Sequence, residues 1–465
     1  MEQAKHRNKF ILVFLLMSFT ILVTSTAFIS WYYRIASLYP SRATDFTAEV
    51  LVYVIHILGM LLFSFGVKRR PDLVLRRESF LICIGLWYVC SLLSMVTRVV
   101  PVVMGFGLLA SVVTGLLFGY YLTALARWTK GRRGLAFGGA GAATSIASFL
   151  ISLPMDGTFL LSRGVWVLYL VLALLAGGCG WLIFPGKEEA QPWEAAEGAS
   201  PVAEGISPAL PEDSMKAYFL FGGLTVMLLS MVGNMGFYFP SADITQAGVD
   251  LEFSRAFYSI GLIAAGLIYD RSPKTALILC SSTILFPFVS LLLMDQVRAG
   301  AVVWVLAYII LGFVSVSRAL LFVTPAGLDP KLLFLAPLGF ACGRLGEALG
   351  ATLGILLTPY RLPHIIVTSV VCVCTMLAFF FLLDLSFRTR LRQAQQQRPA
   401  EPKEESADLS SREQEVLRML LDGRTYKEIA SSLYISENTV KFHVKNVYKK
   451  HGCANRKELI ARYKR

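Results

Sequence analysis

From Phe10 to about Phe387 the chain alternates long apolar runs with short polar connections. Each run is close to the ~20 residues that a helix needs to cross the hydrocarbon core of a bilayer. The runs fall at about 10–33, 47–67, 79–98, 100–125, 135–153, 163–184, 215–238, 252–270, 275–294, 299–323, 332–357 and 363–386. They predict about twelve spans in two sets of six. Gly186 to Ser214, rich in Glu, Ala, Pro and Gly, separates the sets and has the composition of a connector without its own core. Past the last run the pattern changes twice. Leu391 to Asp408 is rich in Gln, Pro and Glu and predicts a flexible linker. From Leu409 onward the spacing becomes that of short amphipathic helices.

That final stretch carries ordered helix-start signals. Ser410 with Glu413, Thr425 with Glu428 and Asn455 with Glu458 each set a capping side chain three residues before a Glu. Ser436 is a fourth N-cap, and Gly423 and Gly452 stand where helices should stop. Four helices are predicted, at about 411–421, 425–432, 437–451 and 456–463. In the third, Val440, Val444, Val447 and Tyr448 repeat as a buried stripe, while Lys441, Lys445 and Lys449 repeat on another face. The turn Leu433-Tyr-Ile435 joins it to the second helix, which makes a helix-turn-helix able to enter a major groove. From Leu409 onward thirteen Lys and Arg face six Asp and Glu, an excess that suits a phosphate backbone. The plainer reading is a solvated lysine face on a helical tail.

The motifs Leu409-Ser-Ser-Arg-Glu-Gln-Glu-Val-Leu, Lys427-Glu-Ile-Ala and Ile435-Ser-Glu-Asn-Thr-Val-Lys-Phe-His443-Val resemble the LuxR-type DNA-binding domain of bacterial transcription regulators. The resemblance implies that Lys441, Phe442 and Lys445 face base edges. It places Lys427, Thr439, His443, Asn446 and Lys449 near phosphates, and it gives the last helix a part in pairing two copies. Tyr426 and His451 depart from the family pattern and imply altered backbone contacts or a modified dimer surface.

Composition agrees with a membrane chain: 55% of residues are hydrophobic and only 16% charged, against roughly a quarter charged in soluble domains. The first run is too long for the apolar part of a cleavable signal peptide. The net charge of +13 gathers in the tail and in particular loops. Lys5, Arg7 and Lys9 precede the first span. Lys68, Arg69, Arg70, Arg76 and Arg77 fill the second connection, and Arg127, Lys130, Arg132 and Arg133 the fourth. Arg271 and Lys274 occupy the eighth, and Arg388, Arg390 and Arg392 follow the last span. By the positive-inside rule both termini are cytoplasmic, in a multi-pass cytoplasmic (inner) membrane protein.

The stretch Gly266-Leu-Ile-Tyr-Asp270-Arg271-Ser-Pro-Lys274 resembles the G-x-x-x-D-R loop of major facilitator transporters; the first-half counterpart after Gly66 has Arg70 in place of the acid. The resemblance implies a six-plus-six layout with a ligand cavity between the halves. Alternatively, Asp270 and Arg271 simply end and anchor a helix.

Ionisable groups within spans usually face a cavity or a partner. Arg344 and Glu347, three residues apart, share a helix face and can pair, while Gly339, Gly343, Gly346, Gly350 and Gly354 admit a close neighbour. They form either a gated pocket, in which an anionic or polar group competes for Arg344, or a structural ion pair. Arg318, Asn234, His56 and Glu49 are weaker candidates. Arg318 can snorkel to the cytoplasmic surface, His56 reads as a hydrogen-bonded packing residue, and Trp31, Tyr32 and Tyr33 as an interfacial belt.

The eight cysteines make no metal-spaced pairs, and no catalytic constellation or cofactor motif is evident. The expectation is therefore an all-α, non-enzymatic chain: membrane halves at 1–185 and 215–387, linkers at 186–214 and 388–408, and a DNA-binding domain at 409–465. Its expected role is a one-component transcription regulator that senses a small molecule through the bundle. The alternatives are a transporter carrying its own regulator and a tether released by proteolysis. Expected partners are double-stranded DNA, lipid, an unidentified small ligand and a second copy on DNA, with RNA polymerase a further candidate.

Overall fold

The computed structural model describes residues 2–38, 42–152, 164–187, 212–237, 256–286, 297–357, 359–397 and 409–463. Most of the expected 186–214 connector and residues 398–408 lie outside this set, as does the side chain of Glu49. The chain divides into two compact units, Met1–Arg390 and Leu391–Arg465.

Among its described residues the first unit is built of helices joined by short turns and connections. It comprises α1 (Glu2–Leu38), α2 (Arg42–Arg69), the single turn α3 (Pro71–Val74), α4 (Arg77–Val96), α5 (Val100–Trp128), α6 (Arg133–Ser152) and α7 (Val165–Ile183). The second half contains α8 (Glu212–Phe237), α9 (Tyr258–Arg271), α10 (Pro273–Cys280), α11 (Val297–Ala326), α12 (Leu338–Leu357) and α13 (Arg361–Gln397). Ten helices within the described residues are long and apolar enough to cross a bilayer. The expected eighth and ninth spans correspond to α9 and to α10 with its 3₁₀ extension Ser281–Leu285; residues 252–255 and 287–294 of the expected spans lie outside the described set. The last helix runs ten residues past Phe387, so the expected flexible linker begins as helix.

These helices suit lipid on both counts that matter. Their backbone groups bond internally, as a bilayer demands, and some buried hydroxyls are satisfied within their own helix: Thr24 and Thr26 donate to the carbonyls of Thr20 and Leu22, each at 2.7 Å. Meanwhile large apolar side chains such as Leu174, Leu182, Phe380 and Phe381 stand mostly exposed around the outside. In water such a belt would be an aggregation surface.

The halves meet in a symmetric pairing. Helix α2 packs against α12, and α6 against α9, so the second and fifth spans contact the eleventh and eighth. Small residues permit this. A Cβ on Gly134 would lie 2.2 Å from the Gly266 carbonyl, and one on Gly266 would lie 2.3 Å from that of Gly134. In the second half α12 is pressed on α8: a Cβ at Gly346 would fall 2.0 Å from the Met227 carbonyl oxygen. Backbone cannot yield as a side-chain tip does. Gly346→Ala is therefore expected to cost about 1–3 kcal/mol, the usual range for overpacking, as a lower unfolding temperature in nanodiscs; an unchanged transition would contradict the contact.

The second unit contains α14 (Ser411–Leu421), α15 (Tyr426–Leu433), α16 (Glu437–Lys450) and α17 (Arg456–Tyr463). They enclose their own core of Val416, Leu417, Leu420, Ile429, Ala430, Val440, Val444, Val447 and Leu459. Ser410 with Glu413 and Thr425 with Glu428 form reciprocal capping boxes. Ser436 accepts from the Thr439 amide. At the fourth helix Asn455 caps the Glu458 amide, but the Glu458 carboxylate reaches back to Ala454 instead.

Candidate functional site

Two places bear on function, one in each unit. In the second, α15 and α16 are set by a turn at Tyr434, which adopts a left-handed conformation (φ 52°) and closes α15 through its amide to the Ala430 carbonyl. The valine stripe of α16 faces inward, which turns Lys441, Phe442, Lys445 and Lys449 outward. Phe442 is 62% exposed, an apolar ring of the kind that meets a thymine methyl. Thr439, His443 and Asn446 are half-buried beside this face, with the Thr439 hydroxyl 2.7 Å from that of Ser436. Lys427 is exposed in the first turn of α15.

Not all the tail's positive charge lies on that face. Arg412 donates to the Leu433 carbonyl at 2.6 Å, and Arg456 to those of Leu420 and Arg424 at 2.8 and 2.9 Å. These arginines cap helix ends inside the domain. Lys450 reaches the Glu413 carboxylate at 2.7 Å. That hydrogen bond, with the Ser410 amide, holds the Glu413 carboxyl down to about 2 from the usual 4.5. A depressed carboxyl stabilises the fold fully above about pH 4.5 and loses its contribution as pH falls toward 2. Thermal unfolding of residues 409–465 against pH should show wild type above Glu413→Gln near neutrality, the gap closing on acidification. Parallel curves would contradict the assignment. His451, at a departure from the family pattern, is buried and lies 3.3 Å from the Tyr463 hydroxyl on α17.

In the first unit the expected ligand residues come together. Glu347 on α12 accepts from Arg344 at 2.6 Å and from Arg318 of α11 at 2.5 Å. Asn234 of α8 donates to the Glu347 carbonyl at 2.6 Å. Arg318 does not snorkel to a surface: it is buried, paired and stacked 4.4 Å from the Phe340 ring. Both arginines open onto a cavity of about 360 Å³ between the halves, walled by α1, α2, α5 and α6 on one side and α9, α11 and α12 on the other. His56 lines it too, and its buried Nδ1 has no hydrogen-bond partner in the protein, contrary to the expected packing histidine. Trp31 is likewise no belt residue; it is buried, its indole donating to the Val103 carbonyl at 3.0 Å.

Away from the cavity, Asp270 closes the contact between the halves. Its two carboxylate oxygens accept from the amides of Gly134 and Leu135 at 2.7 and 2.8 Å, which caps the first turn of α6 from α9. The carboxylate thus anchors one half to the other and does more than end its own helix. At the corresponding place in the first half, where Arg70 replaces the acid, Lys68 lies 5.1 Å over the Phe334 ring.

Comparison with known families accounts for both units. The Major Facilitator Superfamily matches residues 10–327, and the bacterial regulatory proteins of the luxR family match 407–463. The chain belongs to the major facilitator superfamily. Its carboxyl end is a luxR-family helix-turn-helix. Among relatives of that domain, the CsgBAC operon transcriptional regulatory protein of Escherichia coli K12 is 49% identical over 57 residues, 12% of this chain and 26% of the relative. The spore germination protein GerE of Bacillus subtilis is 44% identical over 52 residues, 11% of this chain and 70% of GerE. The chain spans about a quarter of the length of most of these regulators, its resemblance to them being confined to the DNA-binding domain. For the fold of the larger unit, the crystal structure of the human organic anion transporter MFSD10 (TETRAN) superposes with a TM-score of 0.55 at 15% identity, covering 81% of this chain and 99% of that one. The protein is thus a multi-pass, major-facilitator-type bundle carrying a transcription-regulator domain, and neither family is one of enzymes.

Proposed function

We propose that this protein is a membrane-bound one-component transcription regulator. A small molecule enters the cavity between the halves, the bundle changes state, and two luxR-type domains gain or lose the ability to pair on DNA. The observation that carries the reading is one chain holding both an inter-half cavity lined by Arg318 and Arg344 and a helix-turn-helix with an outward lysine face. The basic connections support a cytoplasmic location for both termini, which puts the reader where DNA is. Lys441, Phe442 and Lys445 read base edges; Lys427, Thr439, His443, Asn446 and Lys449 sit against phosphates; Arg344, Glu347, Arg318 and Asn234 form the ligand-responsive cluster. Control of this kind requires the ligand to bind one bundle state more tightly than the other.

Membership of a transporter superfamily favours a second reading, a transporter with an attached regulator. Uptake into proteoliposomes separates the two. The sensor reading is tested by a transcriptional reporter in cells carrying either the full chain or residues 409–465 alone. Small metabolites should change output only with the full chain, with no shortened fragment on immunoblots. A response retained by the tail alone would overturn the reading, and a fragment appearing on induction would favour proteolytic release.

A further inference from the structure

We propose that the cavity takes a small organic monoanion, a carboxylate on an aromatic or apolar body, seated on Arg344 with His56 as its second polar contact. The ligand class follows from the cavity wall; only its consequence for DNA rests on the sensor reading.

Among the described residues, the cavity lining includes Arg318, Arg344 and His56 but no Asp or Glu. Glu347 lies behind the wall, its two oxygens each taken by one arginine. Two guanidinium groups against one carboxylate leave a single positive charge to be matched. A cation would be repelled, and a dianion would bury an uncompensated charge, which low-dielectric surroundings penalise heavily.

The two arginines are not equivalent. Arg318 is fixed between Glu347 and the Phe340 ring and is the more buried of the pair. Arg344 gives Glu347 its Nη1, the nitrogen on the Cδ side, away from the Nε–H edge. That leaves the side-on edge of Nε–H and Nη2; the Nε of each arginine has no acceptor within the protein, but that of Arg318 belongs to the less exposed guanidinium, stacked on Phe340. The Arg344 edge has the fork geometry that receives both oxygens of a carboxylate. One helix over, Tyr53 lies 5.3 Å from the same guanidinium, and His56 follows it by three residues on α2. His56 is 93% buried, lines the cavity and keeps its Nδ1 without a protein partner. A bound carboxylate can satisfy the Arg344 Nε and the His56 Nδ1 together. The rest of the wall, rich in Phe and Tyr, suits a flat or apolar body, and the volume is at the small end of ligand pockets.

The test uses the full-length protein in phosphatidylcholine nanodiscs, titrated calorimetrically with benzoate and indole-3-acetate, with benzamide and indole-3-acetamide, and with benzylamine. The acids should bind saturably, with amides and amine weaker by about tenfold or more, the scale of a charge-assisted fork. Arg344→Gln should lose about tenfold for acids, Arg344→Lys should retain part of the affinity because it keeps charge without the fork, and His56→Phe should weaken binding severalfold. If Arg344→Gln does not fold, the other two variants decide. Amides binding as well as acids, no saturable binding by either acid, or full affinity in folded Arg344→Lys and His56→Phe would overturn the proposal. Acid binding that leaves DNA affinity unmoved would keep the ligand class and overturn the sensor reading.

Discussion

Lys441→Ala with Lys445→Ala is expected to leave the C-terminal domain folded but unable to prefer one duplex over another. Both side chains are exposed on α16 while Val440, Val444 and Val447 hold the helix to the core, so truncation removes little packing and, on the proposed reading, two contacts to DNA. A good base contact is worth about 1–3 kcal/mol of discrimination. Losing two therefore removes roughly 2–6 kcal/mol, enough to erase most of the specificity of a single site. Lys427→Ala provides the contrast. It lies on α15, away from the recognition face, and should weaken binding to every sequence alike while lowering the salt slope by about one. Fluorescence anisotropy against a duplex selected from random sequence, and against its scrambled version, separates the patterns. Preserved discrimination in the double variant would show that another face reads the bases.

Glu347→Ala should be the most damaging single change in the membrane unit. It strips both Arg318 and Arg344 of their shared counter-ion at once. Removing one partner of a buried pair costs about 3–5 kcal/mol, and here two cations lose theirs. Arg318 and Arg344 side chains are 10% and 20% exposed, so some solvent reaches them and the lower part of that range is expected. The unfolding temperature in nanodiscs should fall sharply for Glu347→Ala and less for Glu347→Asp. Equal stability of all three forms would mean that the cluster carries no structural load.

The contrast between these two sites shows what the sequence made legible. The helix-turn-helix was readable because its signals are local: caps three residues apart, a valine stripe, glycines at helix ends. What it hid were contacts that skip across the domain. Arg412 and Arg456, which count toward the basic tail, turn inward to carbonyls 21 and 36 residues away. The six-plus-six layout was likewise legible from hydropathy alone, since a bilayer dictates the length of every run. The pairing of Arg344 with Glu347 could be read from their helical spacing. That of Arg318 with Glu347, from a different helix, could not. Nor could hydropathy show His56 facing a cavity or Trp31 facing inward, because an apolar helix all round gives no sign of which side is lipid. Asp270 was recognisable as part of a loop motif, yet its hold on the first turn of α6 is a fact of tertiary structure.

The proposed regulation stands on one coupling, that the state of the bundle is felt at DNA, and Asp270→Ala probes it without any ligand. The substitution removes both hydrogen bonds across the α6–α9 contact, which on the proposed reading shifts the balance between bundle states. Duplex affinity of full-length Asp270→Ala in nanodiscs should differ from wild type by at least about fivefold, the lower end of typical allosteric coupling. Residues 409–465 alone supply the reference affinity. If the full-length wild type, the variant and the isolated domain all bind the same duplex equally well, the bundle is only an anchor and the proposed regulation is wrong.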